Sequence, residues 1–187
     1  MKIIISKQND AIKRIVTLHT SKGRHEHQQF IAEGIRTIER FANAGHIPAE
    51  LYMTENIYGA TDLYHDIHPT LVSEEVMQKI STLSSAPGIL AVFNTKIVVK
   101  QLVDLHPKTR GIVLADLQDP GNIGTLIRSA AAFNYDTVIT IEGADILSPK
   151  VIQASAGTIA SLKIIQCSWQ DLQNHQQRPP LCALVIE

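Results

Sequence analysis

Residues 111–117, Gly-Ile-Val-Leu-Ala-Asp-Leu, form an almost unbroken apolar run. The turn formers Asp119-Pro120-Gly121 follow, and then an Ala-, Ile- and Leu-rich stretch reaching Phe133. A strand that is apolar on both faces must be covered on both faces, which is the signature of a buried strand in a parallel sheet. Parallel neighbours need crossover connections, so strands should alternate with helices on either side of this run. They do. Asn122 is placed to cap a helix running to about Phe133, Val138–Ile141 reads as a strand, and Ser148-Pro149 fits the cap and first position of another helix. Leu162–Ile165 is again a strand, Ser168-Trp169-Gln170-Asp171 matches a helix start, and Leu181–Ile186 is one more apolar strand.

The first half of the chain shows a second run of the same kind. Asn9 or Asp10 caps a helix through about His19, with Ile12, Ile15, Val16 and Leu18 near helical spacing. The polar stretch Thr20–His27 interrupts it. Phe30–Ala32 is a short strand, Gly34–Ala44 a helix closed by Gly45, and Glu50–Met53 a strand. Ser73 caps a further helix, and Pro87-Gly88 turns into the strand Ile89–Phe93. Residues 94–110, with Lys96, Lys100, Pro107 and Lys108, read as a connection. The expected organisation is therefore α/β throughout: one unit over residues 1–95, a linker over 96–110, and a second unit over 111–187. A doubly wound unit rarely stops on a core strand, so the second unit is expected to be incomplete.

With 44% hydrophobic and 19% charged residues, the chain has the material for a packed core and is not a disordered or low-complexity sequence. No apolar run reaches the roughly 18 residues needed to cross a bilayer. The N-terminal residues read as neither a secretory signal nor an anchor, and a cytoplasmic location is expected. Cys167 and Cys182 lack the spacing of a disulfide scaffold or zinc site and read as core residues in or beside apolar strands. The pairs His25/His27 and His65/His68 read as solvated side chains, not metal ligands, and Trp169 as a packing residue. Although the formal net charge is -1, residues 1–40 hold eight Lys/Arg and four acids, whereas residues 41–75 hold six acids and no Lys or Arg. The basic segment is compatible with a phosphate-rich partner, but on charge alone the solvated helix face is the favoured reading.

The segment with most chemical content is 116–133, which leaves a strand and opens a helix where α/β proteins place ligands. It has neither a G-x-G-x-x-G nor a P-loop pattern. Arg128 is the lone charge between Asp119 and Asp136, so its guanidinium needs an anionic or carbonyl partner. A phosphate or ribose between the helix N-terminus and Arg128 satisfies this, and so does an acid across a subunit interface. Gly124, one turn earlier, would let a substrate approach the helix closely. Lys22 and Arg24, basic residues beside Gly23, are candidates for nucleic-acid contact and equally for a solvated loop.

The run Asp119-Pro120-Gly121-Asn122-Ile123-Gly124-Thr125-Leu126-Ile127-Arg128-Ser129-Ala130 resembles the first motif of the SpoU family of RNA ribose 2′-O-methyltransferases, and Ser148–Gly157 resembles the stretch that this family carries after its second strand. Lys22-Gly23-Arg24, Phe30–Arg36, Val72–Val76 and Ser85–Val92 are similar to the substrate-binding domain common in the family. The resemblance implies a ribosomal-protein-like α/β/α RNA-binding domain followed by a Rossmann-like α/β-knot methyltransferase domain that binds S-adenosylmethionine and forms a homodimer. It implies catalytic roles for Asn122 and Arg128, with Arg128 also contacting RNA phosphate, ribosomal or transfer RNA as the partner, and no metal. The family's Gly-x-Glu and Ser-Leu-Asn motifs, which form most of the donor pocket, are expected beyond Glu187. Two functions stay open: methyl transfer to RNA, or RNA binding by a chain whose methyltransferase domain is vestigial. A small-molecule α/β enzyme is a third, supported by the fold pattern alone.

Overall fold

The structure, a computed structural model, describes residues 3–59 and 67–183. Two four-stranded sheets succeed each other along the chain. In the first half, helices α1 (Asp10–Thr17) and α2 (Ser21–His27) precede β1 (Gln29–Glu33), α3 (Ile35–Asn43), β2 (Glu50–Met53) and α4 (Glu55–Tyr58). Strand β3 (Thr70–Leu71), α5 (Glu74–Ile80) and β4 (Ile89–Asn94) complete it. The strand order is β1-β4-β2-β3; β4 runs antiparallel to β1 and β2, and β3 joins β2 in parallel.

Side-chain alternation along the strands decides what covers each face. Phe30, Leu51, Met53 and Phe93 face α3, where Ile38 and Phe41 meet them. The rings of Phe41 and Phe93 stack at 4.5 Å between centroids, with Phe30 at 5.7 Å from each. The alternate residues Ile31, Tyr52, Leu90 and Val92 pack with Ile12, Ile15 and Leu18 of α1 and with Val76, Met77 and Ile80 of α5. The first half is thus an α/β/α sandwich. At its rim the Tyr52 hydroxyl donates to Glu50 Oε2 at 2.5 Å, and Arg14 bridges Glu50 Oε1 and Gln29 Oε1 at 2.5 and 2.6 Å.

The second sheet contains β5 (Val99–Lys100), β6 (Gly111–Ala115), β7 (Thr137–Ile141) and β8 (Lys163–Gln166), all parallel, in the order β5-β8-β7-β6. Its crossovers are α6 (Pro120–Ala132) and α7 (Pro149–Ala154), and α8 (Trp169–Asn174) follows β8. Leu114, Val138 and Ile164 on one face pack under Ile123, Ile127, Val151 and Ile152, while Ile139, Ile141 and Ile165 on the other meet Leu105 and Leu172. One apolar cluster runs without a break from Phe30 and Phe41 in the first half to Val138 and Ile164 in the second.

Several expectations change in the tertiary context. The polar stretch 20–27 is not an interruption but helix α2, capped by Thr20, whose hydroxyl accepts from the Gly23 N–H at 3.1 Å. Residues 99–100, expected in a connection, pair with Ile164 and Ile165 as β5. Strand β6 is not enclosed: among the described residues it is an edge strand with β7 as its neighbour, and Gly111 and Ala115 are exposed. Helix α6 starts earlier than expected, with Asp119 as cap, Pro120 in the first turn, and Asn122 inside the helix. Leu181–Ala183 are irregular and exposed, so Cys182 is no core residue, while the rest of the expected strand 181–186 and Glu187 lie outside the described residues. Trp169 is 45% exposed, and Leu172 fills the packing position instead. His65 also lies outside the described residues. Among those described, no three His, Cys, Asp or Glu side chains converge as a metal site, and no helix is long and apolar enough to cross a membrane.

Candidate functional site

Helix α6 leaves the carboxyl end of β6 through Asp116–Asp119. The Asp119 carboxylate accepts the Asn122 N–H at 2.7 Å, which turns the chain into the helix and leaves the Asn122 side chain exposed. Six residues on, Arg128 is exposed too, and among the described residues no carboxylate lies within salt-bridge distance of it. By helix geometry the two side chains are about 9 Å apart along the axis and about 120° apart around it. They share a helix but not a pocket. Arg128 instead lines an open groove of about 680 Å³ with Thr125 and Ser129 of its own helix, Arg40 of α3, and Thr158 and Ser161 of the 3₁₀ turn Thr158–Ser161.

Gly124 faces the other way. A Cβ at this position would lie 2.4 Å from Ala154 Cβ and 2.8 Å from the Ser155 backbone nitrogen, so the close approach it permits is that of α7, not of a substrate.

The two basic residues next to Gly23 have different fates. Lys22 is exposed on α2. Arg24 is 4% exposed: its Nε and Nη2 donate to Asp145 Oδ2 at 2.9 and 2.7 Å, and its Nη1 donates to the Leu18 carbonyl at 2.7 Å. A guanidinium so committed joins the two sheets and is not available to nucleic acid. Sequence inspection missed this because Asp145 is 121 positions away and only the fold brings it there.

A cleft of about 410 Å³ opens beside this ion pair at the carboxyl ends of β7 and β8, with Thr140, Glu142, Gln166 and Cys167 among its walls. Asp116 and Glu142, which follow β6 and β7, both adopt left-handed backbone conformations (φ 50° and 55°), uncommon for residues with a Cβ. Burial, and then the nearby Asp171 charge, raise the Cys167 thiol above its ordinary range. This keeps it protonated and makes it a poor nucleophile.

Comparison with known proteins follows the same division. Residues 9–91 match the MRM3-like substrate binding domain, and residues 110–182 match the SpoU rRNA methylase family. An uncharacterized tRNA/rRNA methyltransferase of Synechocystis is 33% identical over 95% of this chain and 64% of its own length. A 23S rRNA guanosine 2′-O-methyltransferase of Bacillus subtilis is 28% identical over 89% of this chain and 65% of its own length. The chain thus spans just under two thirds of these curated relatives. The crystal structure of an AdoMet-bound rRNA methyltransferase from Sinorhizobium meliloti superposes with a TM-score of 0.80 at 24% identity, covering 92% of this chain and 67% of that one, and so shares its fold. The two matches stand in consecutive order, over an α/β sandwich and then a parallel sheet, so the chain carries a stretch of the MRM3-like substrate-binding kind followed by a stretch of the SpoU rRNA methylase kind.

Proposed function

We propose that the chain acts in the transfer of a methyl group from S-adenosylmethionine to a ribose 2′-hydroxyl of ribosomal or transfer RNA. Residues 1–95 would bind RNA and 111–187 would carry the chemistry, joined by residues 96–110, in a cytoplasmic homodimer. The observation that carries this reading is Arg128: an exposed guanidinium with no carboxylate partner among the described residues, on the helix that bears the family's first motif. A cation lining an open groove suits a backbone phosphate.

S-adenosylmethionine supplies an electrophilic methyl group when bound. The chain's own part is to hold the target ribose so that its 2′-oxygen lies in line with that group, and to ease loss of the hydroxyl proton. Arg128 anchors the phosphate next to the target ribose and favours the developing alkoxide. Asn122, exposed in the first turn of α6 and outside the Arg128 groove, would help order the bound strand beside that nucleotide. Lys22 adds a backbone contact on the first half. No metal is needed for this reaction.

An adenosyl donor calls for an apolar slot that takes the purine, plus polar groups around its ribose and amino-acid tail. The cleft at β7 and β8 offers Glu142 and Gln166 as polar groups and Val99, Ala144 and Leu147 as apolar wall, while Arg24 and Asp145 beside it are already joined to each other. The engagement of Arg24 with Asp145 inside this cleft favours, as a second reading, a chain that binds RNA without transferring methyl groups.

Calorimetric titration of S-adenosylmethionine into the 187-residue protein, with transfer of labelled methyl groups to ribosomal RNA followed in parallel, separates the two. The proposal expects label on ribose and a loss of about 100-fold or more in Arg128→Ala. Transfer that survives Arg128→Ala would remove Arg128 from the site. Salt-dependent RNA binding with no donor heat and no label would establish the second reading.

A further inference from the structure

We propose that Arg36 and Arg40 of α3 form, with Arg128 of α6, one continuous phosphate-binding track that crosses from the first sheet's layer to the second and holds the RNA strand flanking the modified nucleotide. This rests on RNA being the substrate. Arg40 belongs to two adjoining grooves: that of about 680 Å³ containing Arg128, and another of about 520 Å³ containing Arg36 and Glu39; Thr158 and Ser161 line both. The grooves are therefore one depression, with α3 on one bank and α6 on the other. All three guanidinium groups are exposed, and none has a carboxylate partner within salt-bridge distance among the described residues. Against them stands the one carboxylate of Glu39, half-buried. By contrast, Arg14 and Arg24 in the same half are engaged with Glu50 and Asp145.

The spacing is that of a built surface. Arg36 and Arg40 are four residues apart and so lie on one face of α3. The two banks are also fixed relative to each other. Gly157, in a left-handed conformation (φ 77°), sits so close to α3 that a Cβ would lie 2.9 Å from the Thr37 carbonyl oxygen. Next to it, His46 Nε2 lies 2.8 Å from the Ala160 carbonyl oxygen. A strand bound by Arg36 and Arg40 is thereby held at a set distance from Arg128, which positions the nucleotide at α6. A groove whose long side chains, Glu39 apart, are Arg, with Thr and Ser between them and only small apolar residues such as Ala44, Ala131 and Ala132 in its lining, suits a polyanion.

The test uses the 187-residue protein and a fluorescent single-stranded uridine RNA of about 12 nucleotides, within the usual span of such sites. Affinity is measured over a range of salt. Each phosphate contact to a single strand contributes about 0.7 to the slope of log K against log salt, so Arg36→Gln/Arg40→Gln should lower that slope by about 1.4. It should also weaken binding at least about tenfold at low salt. Arg36→Lys/Arg40→Lys keeps the charges and should retain the slope, which separates lost contacts from misfolding. Lys96→Gln/Lys108→Gln removes two exposed charges outside the groove and should leave the slope nearly unchanged. If the Arg→Gln pair binds like the unaltered protein, or if the Lys→Gln pair loses as much, the track is wrong while RNA as substrate stands. If the unaltered protein does not bind the RNA at all, both fail.

Discussion

Replacing Asp145 by Ala would leave the Arg24 guanidinium buried with one carbonyl as its remaining partner. The Arg24 side chain is 5% exposed and that of Asp145 25%, so the pair is buried on one side and reached by water on the other. Breaking a buried pair costs about 3–5 kcal/mol, and partial access of water to Asp145 puts this one near the lower end, at about 3 kcal/mol. Asp145 Oδ1 also accepts the Leu147 N–H at 2.9 Å, and losing that bond adds about 1 kcal/mol. For a chain of this size each kcal/mol lowers Tm by about 2–4 °C, so a fall of at least about 8 °C is expected, with a matching shift of the urea midpoint. Asp145→Asn keeps the acceptor for Leu147 and removes the charge, and should recover about 1 kcal/mol. Arg24→Met/Asp145→Ala removes the stranded cation and should be more stable than Asp145→Ala alone. The reasoning is refuted if Asp145→Ala unfolds within about 0.5 kcal/mol of the unaltered protein, or if the double variant shows only the sum of the single effects.

Two other outcomes are expected. Gly124→Ala gains about 1 kcal/mol of helix propensity but forces a Cβ into the Ala154–Ser155 backbone, where overpacking costs about 1–3 kcal/mol; urea unfolding should show a net loss, and a stabilised variant would mean that α7 is not seated there. Burial, followed by the hydrogen bond and charge of Glu50, raises Tyr52 above the ordinary tyrosine range. Its contribution to stability is then complete below about pH 10, the unfolded value, and is lost as pH rises towards the folded value. Unfolding of Tyr52→Phe compared with the unaltered protein between about pH 8 and 11 checks this, because the variant should lack that part of the alkaline fall.

Much of the fold could be read from local signals. Asn9, Ser73, Ser148 and Ser168 cap helices where their spacing to apolar residues says they should, and strands β1, β2, β4, β7 and β8 lie where apolar runs meet turn formers. The errors share a cause. Stretch 20–27 looks like a loop because its composition is polar, yet its one buried charge is satisfied by a residue in the other half of the chain. Strand β6 looks enclosed because it is apolar, yet enclosure depends on which strands lie beside it.

The candidate site divides in the same way. Arg128 and Asn122 stand out in the sequence because a lone charge in an apolar helix and a turn-forming amide are local anomalies. Arg36 and Arg40 do not, since charged residues at helical spacing are ordinary on any solvated face. By itself the sequence determined the two α/β runs, the caps that start their helices, the family motif and the unusual arginine, because propensity, capping and periodicity act over a few neighbouring residues. Only the tertiary structure decided that Arg24 is an internal tie, that Gly124 admits α7, and that Arg40 stands across a groove from Arg128. Those outcomes depend on residues far apart in the chain meeting across a shared core.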